Sequence, residues 1–367
     1  ADSVFYGVVQ TATRSLVEDN GADVLQRVAV MCTDGITRTV NVDKSLNYPA
    51  GWMVRIDVTP EGENVTAIEN RTISGMVSAD ATMLGDRKLA DDVQILDTTT
   101  EGVAGTVRPS RLSGTKLNML NVRYYTLNDN GEIDRLILND VTGDLWKYGV
   151  LDDIRNIAAN LPSTKTPATA GDSEGEGSDG TTQVLKDLRS VLVPTTSEIL
   201  WGVINGDILQ TVWNKVTSST GSLVSIGVKQ LAKVVGEPYG TILNYVGGGA
   251  TYVCYVNGQL TSYTTSIKYP VLAGGLAVRQ EVNGSVKAMV QLMPMKIDKV
   301  GAASVLSGST RYEVADNAQV YLWYKGQYYA TKLAEVNSDA YYLTGWYDNF
   351  GCAAGKRVRV IVAVKKD

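Results

Sequence analysis

Carboxylates are the side chains best placed to do chemistry in this 367-residue chain, because it contains no histidine. The most common general base and the most common zinc ligand are therefore missing. Aspartates cluster around one predicted strand: Asp86, Asp91, Asp92 and Asp97. A facing pair of carboxylates can hydrolyse a glycosidic bond. A similar phrase later in the chain keeps Asp316 but carries Asn317 beside it. We therefore interpret the cluster as a solvated turn, and keep a carboxylate-dependent glycoside hydrolase as the least favoured function.

One segment resembles half of a calcium-binding loop. Thr126, Asn128 and Asn130 would supply alternating oxygen ligands, and Gly131 stands where such a loop turns sharply. The twelfth position is Ile137, where the loop requires a bidentate glutamate. We predict a hairpin turn here and assign no catalytic, cofactor-binding or metal-binding residue anywhere in the chain. Weak extracellular calcium binding stays an open alternative.

Aromatic residues crowd into the C-terminal part of the chain: Tyr321, Trp323, Tyr324, Tyr328, Tyr329, Tyr341, Tyr342, Trp346 and Tyr347. Successive residues of a strand point to opposite faces, so some of these rings are expected to reach the surface. Exposed rings on a sheet contact sugars or other proteins. Cross-strand aromatic pairs that only stabilise the sheet are the other interpretation. The candidates for ligand contact are Trp323, Tyr328, Tyr342 and Trp346.

Charge, hydropathy and cysteine content exclude several classes of protein. The net charge of −5 argues against a protein that tracks nucleic-acid phosphates. No apolar run approaches the ~18 residues that a transmembrane helix needs. Three cysteines without a Cys-x-x-Cys pair predict no zinc knuckle, and we interpret them as small buried residues, with one disulfide as the alternative. They are Cys32, Cys254 and Cys352.

The predicted strands and turns that would position these side chains occur twice in the sequence. Turn glycines at Gly35 and Gly258 are 223 residues apart, and the phrase at 89–95 recurs at 314–320 with an offset of 225. A near-constant offset predicts two copies of one unit of about 130 residues. Duplication is typical of scaffolds and surface assemblies, which grow by repetition.

Short alternating runs separated by Asp-Gly and Asn-Gly dipeptides predict β-hairpins in both copies. The chain has 19 tyrosines but only 2 phenylalanines, which suits strands with one half-wet face. The fold class is therefore mainly β, with tandem small β-barrel or sandwich modules in two duplicated copies separated by a small helical insertion. The predicted domains are a barrel at 1–72, a second β module at 73–147, an acidic flexible loop with the helical insertion at 148–238, a barrel at 239–295 and a second β module at 296–367.

A family resemblance follows from the phrases of the first copy. The string 89–95, the Val-Arg-Tyr-Tyr at 122–125, the segment 131–144 and the pair Tyr148-Gly149 resemble the repeat region of bacterial cell-surface proteins of the S-layer homology (SLH) type. The resemblance covers most of 73–151 and, more loosely, the last part of the chain. It implies β-modules that follow wall-anchoring repeats, although the anchor repeats themselves are not in this chain. It carries over no functional residue.

Three functions compete at this point. The first is a non-catalytic extracellular spacer of a bacterial S-layer-like surface protein, at the cell surface or cell wall, with its signal peptide assumed to be removed. Its partners would be other surface-protein modules or cell-wall components, without nucleic acid, a membrane span or a cofactor. The second is an adhesin that binds carbohydrate or protein through the C-terminal aromatic residues, and the third is the hydrolase.

Overall fold

The computed structural model describes residues 2–17, 23–43, 46–155, 250–267, 269, 271 and 273–367. The predicted helical insertion lies outside the described residues. The chain forms two compact units. Unit 1 comprises 1–145 with 280–285 and 350–355, and unit 2 comprises 146–279, 286–349 and 356–367. Strands dominate both units, so the predicted mainly β class is confirmed.

Unit 1 begins with a five-stranded antiparallel sheet in the order β3-β2-β1-β4-β5. Its strands are β1 (Ser3–Val17), β2 (Asp23–Cys32), β3 (Thr37–Val42), β4 (Met53–Thr59) and β5 (Gly62–Ala67). The predicted Asp34-Gly35 turn joins β2 to β3, and Gly35 takes the positive φ that such a turn needs. The sheet curls until its edge strands approach each other, which makes it a half-barrel around apolar residues such as Val9, Val30 and Ile56.

The rest of unit 1 forms a second β module around its own apolar core, which includes Leu84, Ile95 and Leu136. Its strands are β6 (Gly75–Met76), β7 (Met83–Leu84), β8 (Arg87–Thr98), β9 (Ala104–Thr106), β10 (Lys116–Leu117), β11 (Val122–Leu127) and β12 (Ile133–Asn139), and Pro109–Leu112 is a 3₁₀ helix. The main sheet runs β11-β12-β8-β7, with β9 also paired to β8. Strands β8 and β12 are parallel, whereas the other pairs are antiparallel.

Unit 2 also begins with a five-stranded sheet, in the order β15-β14-β13-β16-β17. The strands are β13 (Lys147–Arg155), β14 (Ala250–Val256), β15 (Gln259–Thr265), β16 (Gly275–Gln280) and β17 (Val286–Gln291). The acidic loop and helical insertion are predicted to begin at residue 148, but residues 147–155 form β13, the central strand of this sheet. The sheet therefore begins before the predicted boundary at residue 239.

The first strand of each five-stranded sheet contains a Tyr-Gly pair, Tyr6-Gly7 or Tyr148-Gly149, and a close approach of two backbones explains the glycine. Gly7 in β1 and Gly149 in β13 each lie against the neighbouring strand so closely that a Cβ would collide with a backbone carbonyl oxygen, that of Met31 or Tyr255. Only glycine fits at such a position.

The second module of unit 2 completes the described chain. Its strands are β18 (Met293–Ile297), β19 (Lys299–Val300), β20 (Ser304–Ser307), β21 (Thr310–Tyr324), β22 (Gln327–Thr331), β23 (Tyr341–Tyr347) and β24 (Val358–Lys365), and Leu333–Glu335 is a 3₁₀ helix. The sheet runs β18-β23-β24-β21-β20-β19, with β22 paired to β21. Strands β21 and β24 are parallel. The core includes Val320, Leu343 and Ile361.

The two units share their strand order. In the five-stranded sheet of each unit, the first strand of the unit, β1 or β13, lies in the centre. The order β11-β12-β8-β7 in unit 1 corresponds to the order β23-β24-β21-β20 in unit 2. The registers of the parallel pairs also match. In β8 and β12, Gln94 pairs with Arg135, and in β21 and β24, Gln319 pairs with Val360. Both partners are thus displaced by 225 residues, the offset found in the sequence. Descent of the two units from one ancestral copy stays a prediction that this correspondence supports.

Candidate functional site

The aspartates of the first sequence cluster do not converge on one site. Asp86, Asp91 and Asp92 are exposed, and the last two are consecutive residues of β8, so their side chains leave opposite faces of the strand. Asp97 is buried, with 1% of its surface exposed. Its carboxylate accepts hydrogen bonds from the backbone N–H groups of Thr98, Val141 and Thr142 at 3.0–3.1 Å, and from the Thr142 hydroxyl at 2.7 Å.

Asp97 is therefore a structural group that pins the turn after β12 to the end of β8. Burial raises the pKa of Asp97, and its hydrogen bonds to Thr142, Val141 and Thr98 act in the opposite direction by favouring the charged form. All four donors would lose their partner if the carboxylate were removed.

The segment that resembles a calcium loop is a hairpin turn between β11 and β12, as predicted. Asn128 Oδ1 accepts the backbone N–H groups of Asn130 and Glu132 at 3.0 and 2.9 Å. The Thr126 hydroxyl donates to Asp134 at 2.6 Å, and Lys88 pairs with the carboxylate of Glu132 at 3.0 Å. The oxygens are thus engaged in the turn itself. Within the described residues, no group of three or more acidic or cysteine side chains is arranged to hold a metal ion.

A buried ion pair lies in unit 2. Arg359 on β24 is 0% exposed and Asp348 is 1% exposed, and Nε of the arginine lies 2.8 Å from Oδ1 of the aspartate. Asp348 also accepts the backbone N–H groups of Lys356 and Arg357, at 2.9 and 3.0 Å. The guanidinium carbon lies 4.6 Å from the ring centre of Tyr148. Arg359 also donates to the side-chain oxygen of Asn317 at 3.2 Å. These contacts hold the strand and the adjacent loop together, so we assign the pair to stability.

A buried glutamine joins the two sheets of unit 2. The Gln319 side chain on β21 accepts the backbone N–H of Asn257, in the β14–β15 turn, at 2.8 Å, and donates to the carbonyl of Tyr148 on β13. The Tyr321 hydroxyl donates to the same glutamine oxygen at 2.6 Å and accepts the N–H of Gly258 at 3.1 Å. We call these contacts the glutamine junction of unit 2.

The equivalent glutamine makes the equivalent contact in unit 1. Gln94 on β8 accepts a hydrogen bond of 2.8 Å from the hydroxyl of Thr33, which lies in the β2–β3 turn. The Tyr6 ring stacks on Tyr124 with centroids 5.5 Å apart, and the guanidinium of Arg135 lies 5.0 Å from the Tyr6 ring. Tyr6 and Tyr148 are the tyrosines of the two Tyr-Gly pairs, and each one faces an arginine from the second module.

The repeated sequence phrase produces this junction through an irregularity in the strand. Between Leu89 and Gln94, β8 advances five residues while β12 advances two, from Ile133 to Arg135. Strand β21 shows the same irregularity before Gln319. An insertion of this kind bends a strand and changes the direction of the next side chains. The sequence analysis missed both glutamines as functional residues, although they stand at the same place in the phrase that revealed the repeat.

Two of the four candidate aromatic residues are buried. Trp346 is 0% exposed and lies on the backbone of β16, where a Cβ added to Gly275 would come within 2.7 Å of the indole. Tyr328 is 7% exposed and packs against Tyr255 and Tyr321, with ring centroids 5.6 and 6.2 Å apart. Both rings fill the interior of unit 2. For these two residues the structure agrees with the alternative interpretation, in which aromatic rings only stabilise the sheet.

The other two candidates reach the surface of unit 2. Tyr342 is 56% exposed and Trp323 is half-buried. A cleft of ≈ 310 Å³ is lined by Lys296, Asp298, Ser338, Tyr341, Tyr342 and Lys366, among others. A shallower depression of ≈ 690 Å³ beside it is lined by Trp323, Tyr324, Lys325, Tyr341, Lys365 and Lys366, among others. The two share Tyr341 and Lys366, and we call the combined surface the aromatic–lysine cleft.

Lysines are held close to the exposed rings of this cleft. The Lys366 ammonium lies 5.2 Å from the ring centre of Tyr342 and donates to the carbonyl of Ser338 at 2.8 Å. The Lys325 ammonium lies 5.1 Å from the ring centre of Tyr324. A cation at this distance from an aromatic ring is attracted to it. The sequence analysis identified the rings but missed the lysines, which strand pairing brings together from distant parts of the chain.

The three cysteines do not pair, because the structure places no disulfide bond among them. Cys32 and Cys254 are buried, and Cys352 is half-buried. This agrees with the interpretation of cysteines as small core residues for the first two. None of the helices among the described residues is long and apolar enough to cross a lipid bilayer.

Comparison of the chain with protein-family models, curated proteins and solved structures finds no match. The resemblance to SLH-type surface proteins therefore stays an expectation from the sequence.

Proposed function

We propose that this chain is a non-catalytic spacer segment of an extracellular, S-layer-like bacterial surface protein. The observation that carries the proposal is the glutamine junction of unit 2, together with its smaller counterpart in unit 1, the half-buried hydrogen bond from Thr33 to Gln94. Buried hydrogen bonds between two sheets resist sliding of one sheet past the other, because each broken bond leaves a buried polar group without a partner. A block of this kind keeps its dimensions under load, which is the property that a spacer requires.

The aromatic contacts support the same proposal. In each unit a tyrosine of the first sheet, Tyr6 or Tyr148, faces an arginine of the second module, Arg135 or Arg359. A contact between tyrosine and arginine thus accompanies the glutamine in each unit, although Arg359 stands one residue before Val360, the position that corresponds to Arg135. The two modules of each unit are expected to unfold together rather than one after the other.

Single-molecule stretching of the full chain tests this proposal. We expect one unfolding event for each unit. Gln319→Ala should divide the event of unit 2 into two at lower force, while Gln259→Ala, at an exposed position of β15, should leave it unchanged. Four independent low-force events in the unmodified chain would contradict a spacer role. Location at the cell surface is tested separately, by adding a protease to intact cells of the source bacterium and following loss of the protein.

A further inference from the structure

We propose that the aromatic–lysine cleft of unit 2 is a binding site for an acidic saccharide. This site is additional to the spacer function and does not depend on it. The two units share one strand order, but only unit 2 has exposed rings and lysines at this place. An exposed feature found in only one of them is not required by the fold.

The offset of 225 identifies the matching positions. Unit 1 has Thr98, Thr99 and Thr100 where unit 2 has Trp323, Tyr324 and Lys325. The position of Lys366 corresponds to Val141, which is fully buried. Unit 1 thus completes its sheet with small or apolar side chains at these places. Unit 2 has rings and ammonium groups there, and Tyr324 is 54% exposed.

The charges of the cleft favour an anionic ligand. Lys296, Lys325, Lys365 and Lys366 line it, against the carboxylates of Asp298 and Asp367. This local excess of positive charge stands on a chain whose net charge is −5. Local charge of one sign concentrates ligands of the other sign.

The remaining groups select a polyhydroxylated anion over a nucleic acid or an acidic peptide. Exposed flat rings offer stacking surfaces for the apolar face of a sugar. Sugar hydroxyls need acceptors as well as donors, and the carboxylate of Asp298 and the hydroxyl of Ser338 provide acceptors beside the ammonium groups. A DNA backbone, by contrast, has no hydroxyl groups along its length to donate to these acceptors. The deeper part of the aromatic–lysine cleft, which Tyr342 lines, has a volume of ≈ 310 Å³, at the lower end of the range of small-ligand pockets.

Titration calorimetry of the full chain tests the proposal with four ligands of equal length. They are a galacturonate hexamer, its fully methyl-esterified form, hexaglutamate and a thymidine hexanucleotide. We expect the galacturonate hexamer to bind, and each of the other three to bind more weakly by about tenfold or more. Absence of galacturonate binding would overturn the proposal. Equal or tighter binding of the ester, the peptide or the nucleotide would also overturn it, and would assign the cleft to a neutral sugar, a protein or a nucleic acid.

Matched variants locate the site. Tyr342→Ala and Lys366→Gln should each weaken galacturonate binding by about tenfold, the effect of removing a central contact. Trp52→Ala and Lys116→Gln change an exposed ring and an exposed lysine of unit 1, and should leave binding within about twofold. Circular dichroism and thermal unfolding of each variant show whether it folds. Binding that survives both cleft substitutions in folded protein, or that the unit 1 substitutions weaken equally, would refute the assignment.

Discussion

Replacing Arg359 with methionine is expected to destabilise unit 2 strongly. The guanidinium is fully buried and pairs with Asp348, whose carboxylate is also buried. Methionine has a similar length and fills much of the same space, but it leaves the carboxylate with only the two backbone N–H groups of Lys356 and Arg357. An uncompensated charge then remains in a region of low dielectric.

The size of the effect follows from that uncompensated charge. Removing one partner of a buried ion pair costs about 3–5 kcal/mol. The contact between the guanidinium and the Tyr148 ring, at 4.6 Å, is lost as well. The double variant Arg359→Met/Asp348→Asn should recover part of the loss, because it removes the orphaned charge and keeps an oxygen that accepts one of the two N–H groups of residues 356 and 357.

Urea unfolding followed by tryptophan fluorescence measures the change. Trp346, one of 6 tryptophans in the chain, pairs with Val360, the residue after Arg359, so its part of the emission reports this sheet. With a slope of about 2 kcal/mol per molar urea, a loss of about 4 kcal/mol lowers the midpoint by about 2 M. The matched control is Arg311→Met, since Arg311 pairs with Glu313 at the surface, at 3.3 Å. Exposed pairs of this kind contribute about 0.5 kcal/mol.

Two results would refute the reasoning. A loss in Arg359→Met as small as that in Arg311→Met would mean that the buried pair is not an electrostatic requirement of the fold. A double variant that is less stable than Arg359→Met would mean that the orphaned charge is not the source of the loss.

Three further outcomes are expected. Asp97→Ala should cost about 3 kcal/mol in the free energy of unfolding of unit 1, because buried donors lose their acceptor; a loss under about 0.5 kcal/mol in chemical denaturation would contradict this. Gly275→Ala should lower the thermal midpoint and shift the emission of Trp346, since the new Cβ would lie 2.7 Å from the indole. Gly284→Ala has a φ of +90° and therefore also costs stability, but open space surrounds it, so it should leave this emission unchanged. An unchanged emission in Gly275→Ala would count against the packing. Stability of unit 2 should fall as the pH rises from 10 through 12. Burial raises the pKa of three tyrosines to about 12, so the folded state holds their protons more tightly than the unfolded state, and this contribution is complete below pH 10 and is lost as the pH rises through 12. These residues are Tyr252, Tyr263 and Tyr347. Absorbance of tyrosinate against pH, with and without denaturant, measures the difference, and identical curves would oppose it.

Local signals in the sequence were sufficient for the strands and turns. Asp-Gly and Asn-Gly dipeptides require positive φ values, and Gly35, Asn257 and Gly258 adopt them in the turns that these dipeptides predicted. Pairing between distant strands has no such local signal. The parallel pairs β8–β12 and β21–β24 depend on which strands meet across intervening hairpins, and alternation of side chains does not specify that choice.

The start of unit 2 shows how a short recurring phrase can mislead. Tyr-Gly occurs at 6–7, 148–149 and 239–240, and the predicted boundary at 239 took the third pair as the start of the second barrel. The structure uses Tyr148-Gly149 instead, since β13 pairs with both β14 and β16. Strand pairing does not require strands to be close in sequence, so β14 pairs with β13 although 94 residues, 156–249, separate Arg155 from Ala250. The Tyr-Gly phrase alone could not tell which of its copies lies in the first strand.

The alternation of polar and apolar residues around Arg359 predicts an exposed arginine, but Arg359 is buried because both faces of its strand are covered. The phrase Arg357-Val358-Arg359-Val360 has the alternating pattern of a strand with one wet face, yet β24 is buried from Val358 to Ala363. The strand is covered on both faces, so Arg359 is enclosed, and its charge is tolerated because Asp348 and the Tyr148 ring lie against it. The same strand ends at Lys365, beside the cleft, where the chain reaches the surface. One strand therefore holds Arg359 in its buried part and supplies Lys365 at its exposed end, with Lys366 directly after it. Because these features lie toward opposite ends of β24, substitution of Lys366 should test the proposed binding without disturbing the contacts of Arg359.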